Sequence, residues 1–113
     1  MKNSRAEACM IYDNEKTICI DTSLPVFDLL GKRYTLFILG VIGNNNTRKN
    51  FNDIYNSIPG SNRTIIARRL KELTDAGIVK RCRKEVVTYE LTEKGQDIRK
   101  GVICFLDSID RTM

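Results

Sequence analysis

Histidine is missing from this chain of 113 residues, and tryptophan is missing as well. Without histidine, the sequence lacks the side chain that most often acts as a general base, and it cannot form a Ser-His or Cys-His nucleophile pair. Its seven glycines do not fall into either of the glycine spacings that bind phosphate groups. We therefore expect that the protein is not an enzyme.

The cysteines are few and scattered, at positions 9, 19, 82 and 104, and no two of them are spaced as C-x-x-C. A zinc site would have to gather all four thiolates from distant parts of the chain, because no histidine can complete it. The sequence therefore predicts neither a metal site nor a cofactor. Cytosolic proteins keep such thiols reduced, and that is the state we expect for these four.

Long hydrophobic runs are also missing. The longest, residues 36–42, is interrupted by Gly40 and is much shorter than the roughly 18 residues that a membrane helix needs. The N-terminal segment MKNSRAEACM contains no sustained apolar stretch of the kind found in a signal peptide. The length is typical of one domain, so we expect a single domain, residues 1–113, that resides in the cytoplasm.

Positive charge is present, and it is concentrated in one place. The whole chain has a net charge of +5, whereas residues 61–84 alone contain eight basic and two acidic side chains. The rest of the protein is therefore close to neutral. Such a concentration is typical of a surface that binds a polyanion.

Hydrophobic spacing and turn residues predict the elements of the N-terminal half. Residues 1–21 contain two apolar, β-branched segments around a polar centre, which favours a β-hairpin and leaves a helical arm as the alternative. A helix capped by Ser23 is expected to end at Gly31. The next helix, residues 33–42, is apolar around nearly its whole girth, so we expect it to be the central buried helix.

The C-terminal half has a different order of elements. It is predicted to contain a short helix (52–58), a sharp turn at Pro59 and Gly60, a longer helix capped by Ser61 or Asn62 and ending near Ala76, two strands (78–83 and 86–91) and a last helix capped by Thr92. Two helices around a turn, followed by a hairpin and a closing helix, form a winged helix-turn-helix. The predicted fold class is mainly α with a small β-hairpin wing (α+β).

The longer helix of this pair divides into two faces. Its apolar face is expected to pack on the preceding helix and contains Ile65, Ile66, Leu70 and Leu73. Its other face starts at the helix N-terminus, where a DNA-reading helix presents side chains to base edges. Arginine can form two hydrogen bonds with guanine, and the methyl group of threonine or alanine can contact thymine. The predicted base-reading residues are Arg63, Thr64, Ala67 and Arg68.

The same surface offers contacts to phosphate, which would position the protein without reading sequence. The predicted phosphate-contacting residues are Asn62, Lys71, Arg81, Arg83 and Lys84. A charged helix face is often only solvated, and lysines on a short hairpin often only protect its edge. The pattern favours DNA because no acid interrupts the helix before Glu72. Arg69 lies nearer the apolar side, where we expect an ion pair with Glu72 or Asp75, or a stem packed over the core.

Six segments carry a family resemblance. They are DLLGKRYTL (28–36), FNDI (51–54), IPG with Asn62 (58–62), LKEL (70–73), GIV with Arg81 (77–81) and YELTEKG (89–95). Together they resemble the HxlR-type family of winged-helix transcriptional regulators, which is related to the MarR group. The resemblance covers residues 24–110 and implies a regulator that binds double-stranded DNA, in the cytoplasm and at the nucleoid.

The resemblance also implies a homodimer on a palindromic operator, with residues 22–91 as the DNA-binding core and residues 92–113 as a dimerisation helix. The implied dimer interface is the apolar stripe Ile98, Val102, Phe105 and Ile109. The alternative for this stripe is that it covers the core of its own domain. In a dimer, the two recognition helices would lie about 34 Å apart, one turn of DNA. We expect the protein to regulate transcription by occupying a promoter and repressing it, with activation as the alternative.

Two other functions stay open. A winged helix can also serve as a protein-interaction or RNA-binding module. The other function is a thiol-based redox-sensing regulator, since some members of the family sense oxidants through a cysteine just before the first helix. That position falls at Asp21 here, and Cys19 lies two residues earlier. Cys19 is thus the candidate redox sensor, with a buried hairpin residue as the alternative.

Overall fold

The computed structural model describes residues 7–113, without the side chains of Glu7 and Asn46. The chain divides into two compact units, one that ends at Gly31 and one that comprises Lys32–Met113. Across the described residues, no helix is both long enough and apolar enough to cross a membrane.

The first unit contains a β-hairpin and a short helix. Strand β1 (Glu7–Asp13) pairs antiparallel with strand β2 (Lys16–Asp21), so the predicted hairpin is confirmed over the helical arm. Asn14 has a positive φ of 57° in the tight turn between the strands, a conformation that asparagine tolerates better than most residues. Helix α1 (Pro25–Leu30) follows, with proline in its first turn as predicted.

Three expectations about this unit are wrong. Cys9 and Cys19 lie directly opposite each other across the two strands and form a disulfide, rather than staying reduced. Cys19 is exposed, not a buried hairpin residue. Ser23 does not cap α1, because its hydroxyl donates to Asp21 Oδ1 at 2.6 Å, and Leu24 occupies the cap position without a side-chain bond.

The second unit contains four helices and a second hairpin. Its elements are α2 (Thr35–Ile42), a short 3-10 turn (Asn44–Asn46), α3 (Phe51–Ser57), α4 (Arg63–Asp75), β3 (Val79–Arg83), β4 (Val87–Leu91) and α5 (Glu93–Thr112). Strands β3 and β4 pair antiparallel, and Lys49 adds a bridge to Tyr89 at the edge of β4. This order confirms the predicted winged helix-turn-helix, with β3 and β4 as the wing.

Helix α2 differs from its prediction in two ways. It begins at Thr35 rather than at residue 33, because Tyr34 adopts a left-handed conformation with a φ of 74°. It is also not buried all round, since the Phe37 side chain is 50% exposed while Ile38 and Leu39 are fully buried. The helix therefore packs through one face and presents another.

The core of the second unit is built from aliphatic side chains on every helix and on the first wing strand. Its most deeply buried members are Ile38, Leu39, Ile42, Ile54, Ile66, Leu70, Leu73, Ile78 and Val79. Burying such a side chain contributes about 1.5–3 kcal/mol. Tertiary packing, rather than helix propensity, therefore holds the short helices α2 and α3 in place.

The two ends of the wing meet at one junction. Gly77, with a φ of +76°, ends α4, and the Thr92 hydroxyl donates to the Gly77 carbonyl at 2.7 Å. The Thr92 amide donates to the Ile78 carbonyl at 3.1 Å, and the same threonine caps α5 by accepting from Gly95 N at 3.0 Å, as predicted. These bonds fix where α4 ends, where the wing begins and where α5 starts.

Replacing Gly95 with alanine is expected to destabilise the protein by about 1–3 kcal/mol. The added Cβ would overlap with the backbone carbonyl of Ile78, which has no room to move without shifting the wing strand. Gly101, in the same helix, has open space around it, so Gly101→Ala should stabilise by up to about 1 kcal/mol through helix propensity. Urea denaturation of both variants measures the difference, and effects of the same sign would contradict this account of the junction.

Candidate nucleic-acid interface

Helix α4 is divided as its sequence predicts. Ile66, Leu70 and Leu73 are buried and Ile65 is half-buried. The predicted base-reading residues Arg63, Thr64, Ala67 and Arg68 are all exposed. The first turn of the helix contains no acid, so its positive N-terminal end is not neutralised locally.

Asn62, rather than Ser61, caps this helix. Its side-chain oxygen accepts from Ile65 N at 3.1 Å, which satisfies one of the amide groups that a helix start leaves unpaired. The Asn62 side-chain amino group still has its donors available for another acceptor. Ser61 instead turns back, and its hydroxyl donates to the Tyr55 carbonyl at 3.4 Å.

The base-reading candidates differ in their surroundings. Within residues 7–113, no hydrogen bond or ion pair holds the side chain of Thr64 or Arg68. Ala67 lines a groove of about 350 Å³ between α4 and the wing, together with Lys71, Arg81 and Tyr89. A small side chain at this position keeps the groove open.

Arg63 is held by the preceding helix. Its Nη1 donates to Asn52 Oδ1 at 3.1 Å, and its guanidinium carbon lies 4.4 Å from the centre of the Tyr55 ring and 5.7 Å from that of Phe51. Sequence reasoning missed these partners. The signal that could have found them is an aromatic pair four residues apart on α3, just before the turn.

A cluster of charges ties α4 to the segment before α2. Arg69 Nη1 donates to Glu72 at 2.9 Å, which confirms the predicted pair, and Arg69 Nε donates to the Arg33 carbonyl at 3.1 Å. Lys32 Nζ donates to the other oxygen of Glu72 at 3.0 Å. The hydrogen bond from Lys32, with that from Arg69, lowers the pKa of Glu72 against the opposing effect of its partial desolvation. Glu72 therefore stays ionised to a lower pH than an unperturbed glutamate does.

The basic side chains of the wing also differ in whether they form ion pairs. Glu90 on β4 lies 3.5 Å from Lys80 Nζ and 3.6 Å from Arg48 Nε, and it accepts from the Cys82 thiol at 3.2 Å. The thiol hydrogen bond and the two cations lower the pKa of Glu90, again against partial desolvation. Arg81, Arg83 and Lys84 are exposed and have no ion pair within the described part of the chain. On α4, Lys71 forms an ion pair with Asp75 at 3.0 Å, and both side chains are exposed.

The apolar stripe of α5 is divided along its length. Val102 is only 7% exposed and Ile98 is half-buried, whereas Phe105 and Ile109 are 53% and 41% exposed. Beside this exposed end, Ile103 and Leu106 line an apolar groove of about 370 Å³ whose other wall includes Phe37 of α2. The C-terminal half of the stripe is therefore an uncovered apolar surface.

Comparisons with known proteins give one consistent result. The HxlR-like helix-turn-helix family matches residues 29–112. A possible HxlR family transcriptional factor from Thermoplasma volcanium GSS1 is 45% identical, with 96% of this chain and 97% of that chain covered and a TM-score of 0.85.

YodB from B. subtilis is a second similar structure. Its diamide-treated form is 33% identical, with 76% and 87% of the two chains covered and a TM-score of 0.63. The reduced form of this transcriptional regulator is 34% identical, with 74% and 82% covered and a TM-score of 0.63. Among curated proteins, none matches this chain.

Proposed function

This chain belongs to the HxlR-like helix-turn-helix family, and from that premise we propose that it is a sequence-specific DNA-binding regulator that represses transcription as a homodimer on a palindromic operator. The solved structures it resembles are transcriptional regulators, not enzymes. It would act in the cytoplasm, on the DNA of the nucleoid. The observation that carries the proposal is the exposed, acid-free start of α4 beside three wing cations that have no ion pair within the described residues.

Base reading is assigned to the exposed N-terminal half of α4. Arg68 and Thr64 are free to reach base edges, and the small Ala67 lets the helix approach the major groove closely. Arg63, the fourth residue predicted to read bases, stands apart because α3 already holds its guanidinium.

Phosphate contacts are assigned to the edges of the same surface. The residues are Asn62, Lys71, Arg81, Arg83 and Lys84. The exposed ion pair of Lys71 with Asp75 contributes at most about 1 kcal/mol, so a phosphate can replace Asp75 at little cost. The wing cations would lie along the DNA backbone and supply affinity rather than specificity.

Dimerisation is assigned to the uncovered end of α5. Exposed Phe105 and Ile109, with Ile103 beside them, form an apolar surface of the kind that marks protein interfaces. Val102 and Ile98, which the sequence also placed in the interface, are largely covered in the single chain and would contribute less. Pairing through a two-fold axis would place two α4 helices on two half-sites.

Redox sensing is a second candidate function, favoured by one specific observation. Cys9 and Cys19 form a disulfide across the exposed hairpin, and a family relative has been solved in both reduced and diamide-treated forms. Closing the bond removes two electrons and two protons from the thiols, which an oxidant such as diamide accepts. Because a two-stranded hairpin is only marginally stable alone, breaking the bond would loosen this unit.

For DNA binding, we expect wild-type affinity for a duplex selected from random sequences to fall about 10³–10⁵-fold between 50 and 200 mM salt. Arg68→Ala should cost about 1–3 kcal/mol and relax the preference at one base pair, because arginine reads guanine through two hydrogen bonds. Fluorescence anisotropy with a panel of duplexes measures both effects. Lys100→Ala, on the exposed side of α5, is the matched control and should change neither. A flat salt dependence, or a preference for single-stranded RNA, would favour the interaction or RNA-binding module.

For dimerisation, Phe105→Glu is expected to weaken self-association by at least about 2 kcal/mol, roughly 30-fold, because it places a charge at the centre of the apolar surface. Sedimentation equilibrium should show wild-type particles of twice the 12.9 kDa chain mass and a shift to monomer in the variant. Lys100→Ala should stay dimeric. A wild-type monomer, or a variant that dimerises normally, would refute this interface.

For redox sensing, oxidation of the reduced protein with diamide is expected to change operator affinity about 5-fold or more, a typical coupling between two sites. Cys9→Ser and Cys19→Ser should each abolish the response, because neither can close the bond. Cys104→Ser keeps this pair intact and should respond like wild type. If Cys19→Ser retains the wild-type response, Cys19 is not the sensor.

A further inference from the structure

Arg63 is the first residue of α4, but its guanidinium lies against α3. One nitrogen, Nη1, donates to Asn52 Oδ1 at 3.1 Å. The planar group lies 4.4 Å from the Tyr55 ring centre and 5.7 Å from that of Phe51. The guanidinium therefore has contacts from three residues of one neighbouring helix.

The two rings act as one surface. Phe51 and Tyr55 are nearly parallel, with an angle of 4° between their planes and centroids 6.3 Å apart. They are four residues apart, so they lie on the same side of α3, one turn apart. A guanidinium above such a surface is attracted electrostatically and has its plane oriented by the stack.

This arrangement leaves part of the guanidinium unused. Asn52 accepts from one nitrogen, and a guanidinium has five N–H donors in a fixed plane. The other donors have no hydrogen-bond partner within the described residues, and a guanidinium can match the two-oxygen geometry of a phosphate group. Arg68 provides the contrast, because no hydrogen bond or ion pair within residues 7–113 fixes its side chain.

We propose that Arg63 is a phosphate-contacting residue rather than a base-reading one, and that Asn52 and Tyr55 are positioning residues that hold it over α3. The proposal rests on the proposed DNA-binding function. In a helix-turn-helix, the second helix of the motif lies in the major groove while the first helix crosses the DNA backbone. A side chain anchored on α3 therefore lies with the helix that meets phosphates, although it originates from the helix that meets bases.

The first experiment compares Arg63→Ala with Arg68→Ala on the selected operator, on duplexes that each change one base pair, and on a scrambled duplex. Arg63→Ala should lower affinity roughly tenfold or more by a similar factor on every duplex, because a charged hydrogen bond to phosphate carries no sequence information. The slope of log affinity against log salt should fall by about one for each phosphate that the variant no longer neutralises. Arg68→Ala should instead lose discrimination at one base pair.

The second experiment tests the positioning residues. Asn52→Ala and Tyr55→Leu should each reduce affinity uniformly, by less than Arg63→Ala does, and should have no further effect in the Arg63→Ala background. Asn56→Ala, at an exposed position of the same helix, is the matched control and should bind like wild type. Arg63→Lys keeps the charge but not the planar stack, so its affinity should be intermediate. Thermal melts confirm that each variant is folded.

Three results would overturn the proposal. The first is loss of discrimination at a single base pair in Arg63→Ala, which would make Arg63 a base reader. The second is full additivity of Tyr55→Leu with Arg63→Ala, which would make the aromatic contact irrelevant to DNA. The third is a wild-type protein that binds no duplex at all. Only this last result also removes the proposed function, so the two failures are distinguishable.

Discussion

The hydrogen bonds between Thr92 and the Gly77–Ile78 backbone are the constraint on which the arrangement of the second unit depends. They join the residue that follows the wing to the residues that follow α4. Helix α4, the wing and α5 are therefore held together at one point. Gly95 makes the joint possible, because any side chain there would collide with the Ile78 carbonyl. The groove between α4 and the wing is therefore held at this junction by the hydroxyl and the amide of Thr92, which both donate to backbone carbonyls.

The positions of two acidic residues determine which basic side chains of the second unit form ion pairs. Glu72 forms ion pairs with Lys32 and Arg69, and Glu90 forms ion pairs with Lys80 and Arg48. Both carboxyl groups have a lowered pKa, so both stay ionised to a lower pH than an unperturbed glutamate does. Arg81, which lines the groove beside α4, and Arg83 and Lys84 near the wing tip have no ion pair within the described residues. The positive surface thus results as much from the placement of two acids as from the number of basic residues.

Aromatic and apolar side chains outside the core serve two different purposes. Phe51 and Tyr55 are used within the second unit, as a surface for Arg63. Phe105 and Ile109 are exposed instead and leave an uncovered apolar surface on the C-terminal half of α5, to which we assign dimerisation. The same residue class therefore orders a polar contact at one site and leaves an exposed surface at another.

The sequence by itself determined the elements whose causes are local. The periodicity of α4 and α5, the cap Thr92, a cap at either Ser61 or Asn62, and the glycine that ends α4 all depend on residues within a few positions of one another, and each was predictable. Tertiary structure alone decided which distant groups meet: the pairing of Cys9 with Cys19, which depends on strand register, the left-handed Tyr34 that delays α2, and the contact of Arg63 with α3. A long side chain can reach several partners, and only the packed positions of the helices select one. For that reason, the face of α4 could be predicted from its sequence, whereas the contact of its first residue with α3 could not.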